Sequence, residues 1–297
     1  VAGIAFAHPL ILADSAAEQA ASSPYFPLGL LYLAGYVREK GHDVTIYDGT
    51  FQADESSFVD HLRTHEPDLV GISAVVTNRD TALRFAQLAQ DAGAVVVMGG
   101  PDPTMNPSAY LASGDVDIVV HHEGEQTITQ LLDLVDQGQL ADQFADELGI
   151  AYRRDGRITV NPPRPPIEDL DTLPLPARDL IDMDRYLDQW KTESGYTSIT
   201  VATTRGCPYG CDWCADAVHG DAYRQRSPEN VAAELRHLED TYGVESIRLV
   251  DDVDGIDREW IDAWAAEAAA ADSTVTFEPL NQLDRTDLPL LEVRDSL

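Results

Sequence analysis

Two hydrophobic periodicities alternate over residues 1–140. Short apolar runs stand at 1–6 (VAGIAF), 43–47 (DVTIY), 68–73 (DLVGIS), 94–100 (AVVVMGG) and 116–120 (VDIVV). Longer stretches at 27–41, 54–65, 78–93 and 124–138 separate them and read as amphipathic helices. Runs rich in Val and Ile alternating with such helices predict βαβ units on a parallel sheet. Gly41 and Gly93 stand where two of the helices would end. Five strands in this order predict a flavodoxin-like doubly wound domain, with its ligand beyond the C-terminal strand ends at the switch point.

The loops at those ends read AHP (7–9), SAVVTN (73–78), GGPDPTMNP (99–107) and HHEGEQ (121–126). Gly99, Gly100 and Pro101 let backbone approach a bulky ligand closely. The stretch from Glu123 and Gly124 opens the next helix with acids at its positive end. The same residues also serve as ordinary strand-to-helix turns, and the residues alone leave both readings open. No G-x-G-x-x-G follows the first strand, so a dinucleotide site has no support.

The pattern changes over 141–196. Residues 150–161 read as a small hairpin around Asp155 and Gly156. A proline-rich stretch then reads as a stiff connector. A second α/β pattern fills 197–297. Its strands are expected at 197–204, 245–252 and 273–280, and its helices at 227–243 and 257–271. The first of these helices has Ser227 at its N-cap, Pro228 next and Gly243 past its end. The three strands are those of a β/α barrel in its first half.

Composition narrows the setting. A chain of 297 residues with 44% hydrophobic content supports two cored domains. Its net charge is −32, from 52 acidic and 20 basic residues. Only Lys40 and Lys191 are lysines. The acids are scattered, and concentrated salt screens repulsion of this size. The expectation is a protein of a high-salt cytoplasm, in a halophile. Duplex nucleic acid is disfavoured, because no basic footprint for phosphates is visible. No apolar run approaches the roughly 18–20 residues of a membrane span, and the first residues show no basic leader.

All three cysteines fall in one stretch, TTRGCPYGCDWC, at Cys207, Cys211 and Cys214. The spacing is C-x3-C-x2-C, directly after an expected strand. Three thiolates on one tight loop suit a soft metal. Structural zinc would need a fourth ligand, for which His219 is nearest. A [4Fe–4S] cluster held by three cysteines would keep one iron open to a ligand. The C-terminal ends of barrel strands are where chemistry sits. Asp251 and Asp252 end the next strand and would face the same mouth, either holding a cation or capping a turn. Glu278 on the third strand would reach that rim in one of two registers.

The stretch RGCPYGCDWC resembles the cluster loop of radical S-adenosylmethionine (SAM) enzymes. The resemblance implies that Cys207, Cys211 and Cys214 hold a [4Fe–4S] cluster whose open iron chelates SAM. It places Trp213 near the adenine side and Asp251 and Asp252 near the SAM amino group. Residues 27–48, 70–77, 95–107 and 117–132, with the connector 167–182, resemble the cobalamin-binding module and linker of one subfamily. By that resemblance Ser73, Thr77, Gly99, Gly100, Pro101, Glu123 and Gly124 would meet cobalamin. The fold class implied is α/β, a flavodoxin-like sheet of the cobalamin-binding type followed by a partial radical SAM barrel. The D-x-H-x-x-G pattern that supplies a histidine to cobalt is absent, His8 being followed by Pro9 and Leu10. That implies cobalamin held without a protein ligand, or a module that has lost it.

The activity implied is reductive cleavage of SAM and activation of a C–H bond, for methyl transfer, oxidative rearrangement or cyclisation. An external donor such as ferredoxin or flavodoxin would supply the electron. The family barrel has six strands, so a partner completing it, or a curtailed chain, is expected. The rival readings are a corrinoid carrier or sensor with a vestigial half barrel, and a zinc-stabilised protein with His219 as fourth ligand.

Overall fold

The structure, a computed structural model, describes residues 1–12, 24–212, 214, 218–253, 256–270 and 275–278. The chain divides into two compact units. The first holds 26–166 and 176–181 with the N-terminal strand, and the second holds 167–175 and the residues from 182 onward.

The first unit is a seven-stranded sheet. Its strands are β1 (Gly3–His8), β2 (Asp43–Asp48), β3 (Leu69–Ser73), β4 (Val95–Gly99), β5 (Ile118–Val120), β6 (Ile150–Arg154) and β7 (Arg157–Val160). They lie in the order β2-β1-β3-β4-β5-β6-β7. The first five are parallel, and their order is the doubly wound one expected. The predicted hairpin is present but extends this sheet, β6 running antiparallel to β5. Asp155 and Gly156 turn it with positive φ, 52° and 73°.

Helices cover the sheet: α1 (Leu28–Glu39), α2 (Ser56–His65), α3 (Arg79–Asp91), α4 (Pro101–Met105), α5 (Pro107–Leu111) and α6 (Glu125–Asp136). Each long one buries a face at helical spacing. In α3 that face is Ala82, Phe85, Ala86 and Ala89. Phe85 stacks on Phe58 of α2, ring centroids 4.5 Å apart, in a core with Tyr47, Ile72 and Met98. Covered on both faces, β1, β3 and β4 are almost wholly apolar, as buried parallel strands are. Part of the proline-rich connector belongs to this unit. Ala177 N–H donates to Leu31 O at 3.0 Å, and Arg38 makes a two-pronged bond to Asp179 at 2.6 and 3.1 Å.

The second unit opens with α7 (Met183–Ser194) and has a parallel three-stranded sheet. Its strands β8 (Ser198–Val201), β11 (Ser246–Leu249) and β12 (Thr276–Glu278) pair in the order β12-β11-β8. Helices α8 (Pro228–Tyr242) and α9 (Arg258–Ala270) are the crossovers. Ser227 caps α8 by accepting Asn230 N–H at 3.1 Å, and Gly243 ends it with φ 59°, as the residues predict. Two short strands, β9 (Thr204–Arg205) and β10 (Arg224–Gln225), close the loop between β8 and α8. Among the described residues no helix is long and apolar enough to cross a membrane.

Candidate functional site

Two places gather chemistry, one in each unit. In the first unit it is the C-terminal rim of the sheet. Ser73 ends β3 opposite Gly99, which ends β4. The loops beyond them are stitched together: Ala74 N–H donates to Gly99 O at 2.9 Å and Asp102 N–H to Ala74 O at 3.4 Å. Gly100 between them has φ 103°, and a Cβ there would stand 2.7 Å from Ala74 O. Position 100 therefore has no room for a side chain. Pro101 starts α4, and the loop after β5 reaches it when His122 N–H meets Thr104 Oγ1 at 3.3 Å. Glu123 is buried and Gly124 precedes α6. Thr77 lies exposed in a short turn after β3. The rim thus brings Ser73, Gly99, Gly100 and Pro101 together and ties the loop carrying Glu123 and Gly124 to them.

Sequence reasoning passed over a buried ionic cluster that fixes this rim. Asp102 accepts Arg79 Nε and Nη2 at 2.7 and 2.6 Å, Asn106 Nδ2 at 3.0 Å and the Tyr110 hydroxyl at 2.5 Å. The guanidinium beside it holds the Asp102 carboxyl down to about 2, against its partial burial. The acid between two prolines, Pro101-Asp102-Pro103, was the mark that could have shown it. Two histidines also reach the rim. His8 ends β1 with Nε2 lacking a hydrogen-bond partner, and His121 follows β5 with neither ring nitrogen partnered. Burial lowers both pKa values, so both rings are neutral at pH 7. Val75, Val76 and Met105 present exposed apolar surface on adjacent loops. An apolar ledge flanked by backbone polar groups fits the face of a large macrocycle.

In the second unit the place is the loop after β8. The chain turns out of β9 at Gly206, with φ 81°, and a Cβ there would stand 2.3 Å from Ala222 O. Cys207 N–H donates to Gly220 O at 3.1 Å, and Cys214 N–H to Cys211 O at 3.0 Å. Cys207 and Cys211 are half-buried, Cys214 is exposed, and all three are free thiols. Trp213 lies outside the described residues. Among the described residues no three His, Cys, Asp or Glu side chains stand together as a metal site. The donor set still fits an iron–sulfur cluster, because three soft thiols on one loop are what such a cluster takes.

Strand β11 stops at Leu249, short of the expected 252, and Asp251 and Asp252 stand just past its end beside this loop. Asp251 is buried, and its carboxylate accepts Thr203 N–H at 2.6 Å, Thr204 N–H at 2.9 Å and the Thr203 hydroxyl. Burial pushes its carboxyl up to about 6 despite these donors. Asp252 accepts Gly206 N–H at 3.0 Å and meets His219 Nδ1 at 3.1 Å. The histidine holds its carboxyl below the usual carboxylate range.

A doubly wound domain is followed in this chain by a parallel sheet that leads into three cysteines, and comparison finds relatives with a like arrangement. Residues 19–132 match the B12 binding domain family. The chain is 35% identical over 246 residues to an uncharacterised methyltransferase of Pyrococcus horikoshii, covering 80% of this chain and 51% of that one. It is 31% identical to the anaerobic magnesium-protoporphyrin IX monomethyl ester cyclase of Rubrivivax gelatinosus, over 86% of this chain and 46% of the other. The fold is shared with the cobalamin-dependent SAM radical enzyme OxsB, solved with aqua-cobalamin and SAM bound. The TM-score is 0.79 at 16% identity, over 93% of this chain and 38% of that one. The chain spans about half the length of the curated relatives it matches.

Proposed function

We propose that this chain is the cofactor-binding part of a cobalamin-dependent radical SAM enzyme, acting on an unreactive C–H bond of a small molecule. One observation carries the reading: a C-x3-C-x2-C loop at the C-terminal end of a parallel strand shares a chain with a match to the B12 binding domain family. Cys207, Cys211 and Cys214 would hold a [4Fe–4S] cluster, and Ser73, Thr77, Gly99, Gly100, Pro101, Glu123 and Gly124 would line the corrin. When bound, the cluster with SAM supplies a 5′-deoxyadenosyl radical, and the cobalt of the corrin supplies a carrier for a methyl group.

The chain's own share is binding and exclusion. Gly100 keeps the rim open at its closest stitch, Val75, Val76 and Met105 offer apolar cover, and the cysteine loop presents its thiols from a fixed turn. Names of relatives favour methyl transfer or ring closure as the outcome. Ferredoxin or flavodoxin would deliver the electron. Free thiols and a reduced cluster suit a reducing cytoplasm, and the net charge of −32 suits a halophilic one.

The test is anaerobic reconstitution in concentrated salt, followed by electron paramagnetic resonance of the reduced protein with and without SAM. A cluster signal that changes with SAM, together with cobalamin absorption on the same chain, is expected. Zinc in place of iron, or a cluster indifferent to SAM, overturns the reading.

A further inference from the structure

Asp252 does two things at once in the second unit. A single oxygen, Oδ2, accepts Gly206 N–H at 3.0 Å and meets His219 Nδ1 at 3.1 Å. Gly206 immediately precedes Cys207, and His219 follows Cys214 by five positions. One carboxylate therefore holds both flanks of the segment that carries all three thiols. Other ties are few. The β9–β10 ladder joins the flanks through only Arg205 with Arg224 and Thr204 with Gln225. Cys207 N–H to Gly220 O, at 3.1 Å, adds one bond, and Arg224 Nη2 steadies His219 itself by donating to its carbonyl at 3.3 Å. Asp251 anchors the chain one step earlier, at Thr203 and Thr204.

Ordering a loop of this length costs conformational entropy, and each tie across its base lowers the share left for ligand binding. A carboxylate that orients a neighbouring histidine and a backbone N–H is the kind of outer partner that tunes a metal site without touching the metal. Resting on the function proposed above, we propose that Asp252 is a positioning residue for the cysteine loop, clamping Gly206 to His219, and that this clamp sets cluster assembly.

Three variants of the full chain, Asp252→Ala, Asp252→Asn and His219→Gln, test this. Two readouts apply: iron affinity during anaerobic reconstitution, and amide hydrogen exchange of residues 203–222 in the metal-free protein. SAM affinity of the iron-loaded fraction is then read from the resonance shift. The clamp predicts a loss of about tenfold in iron affinity for Asp252→Ala and His219→Gln, with faster exchange in the loop. Asp252→Asn, which keeps an oxygen for Gly206 N–H, should recover part of both. Wild-type iron uptake and loop exchange with weakened SAM binding in Asp252→Ala overturns the proposal. So does wild-type behaviour in all three variants. If Asp252→Ala does not fold, by far-ultraviolet circular dichroism, the other two variants decide. If the wild-type chain takes up no iron, the functional reading falls. Loop exchange in the metal-free protein then decides the clamp alone, faster exchange supporting it and unchanged exchange overturning it.

Discussion

A methyl group at position 206 has nowhere to go. It would sit 2.3 Å from Ala222 O and 3.0 Å from Gly220 O, both backbone atoms, at a φ that side chains rarely adopt. Gly206→Ala is therefore expected to abolish iron uptake while leaving the cobalamin absorption of the first unit intact, a contrast that reconstitution measures directly. At the rim, Asp102 is the residue whose loss should be felt most. Asp102→Ala removes the acceptor shared by Arg79, Tyr110 and Asn106 and should destabilise the first unit by about 3 kcal/mol in urea unfolding. Asp102→Asn, which keeps the shape, should cost less.

Element by element, the chain announces most of its fold. Apolar runs placed β1 to β5 and period-3.6 patterning placed α1, α2, α3 and α6, while α4 and α5 form where residues 99–107 read as a loop, their prolines starting each short turn. Ser227 and Gly243 marked both ends of α8. The cysteine loop was legible because spacing and residue type carry its chemistry together. Long-range partners were not. Asp251 and Asp252 read equally as cation holders or turn caps, since nothing local says that Thr203, Gly206 and His219 would arrive beside them. The hairpin was visible at Asp155 and Gly156, but its addition to the sheet at β5 depends on a pairing far along the chain. At this scale the contact between α2 and α3 is the one to probe. Phe85→Ala empties a fully buried stack against Phe58 and should cost about 3–5 kcal/mol, read as a lower urea midpoint.

Charge acts on the whole molecule. At −32, raising sodium chloride from about 0.1 M to about 2 M should raise the melting temperature, because screening shortens to a few Å. Acid should act through histidines. Burial lowers the pKa of His61 to about 4, and those of His8 and His121 in the same direction. The unfolded chain thus binds protons at these histidines that the folded one refuses between about pH 6.5 and 4, so their contribution to stability should be full above that window and fall through it, opposed in part by Asp251, whose raised carboxyl holds a proton more readily in the folded chain. His61→Gln should flatten the fall, as followed by thermal unfolding across pH. The hairpin at the far end of the first sheet has a consequence in time. Arg154 meets Arg157 across two residues, whereas Ile4 must find Leu69. Hairpins close in about 1–10 μs, while parallel pairs wait for their crossovers. When the whole chain refolds from denaturant, β6 and β7 at the far end of the sheet are the first able to pair, and β1 waits longest for both its neighbours.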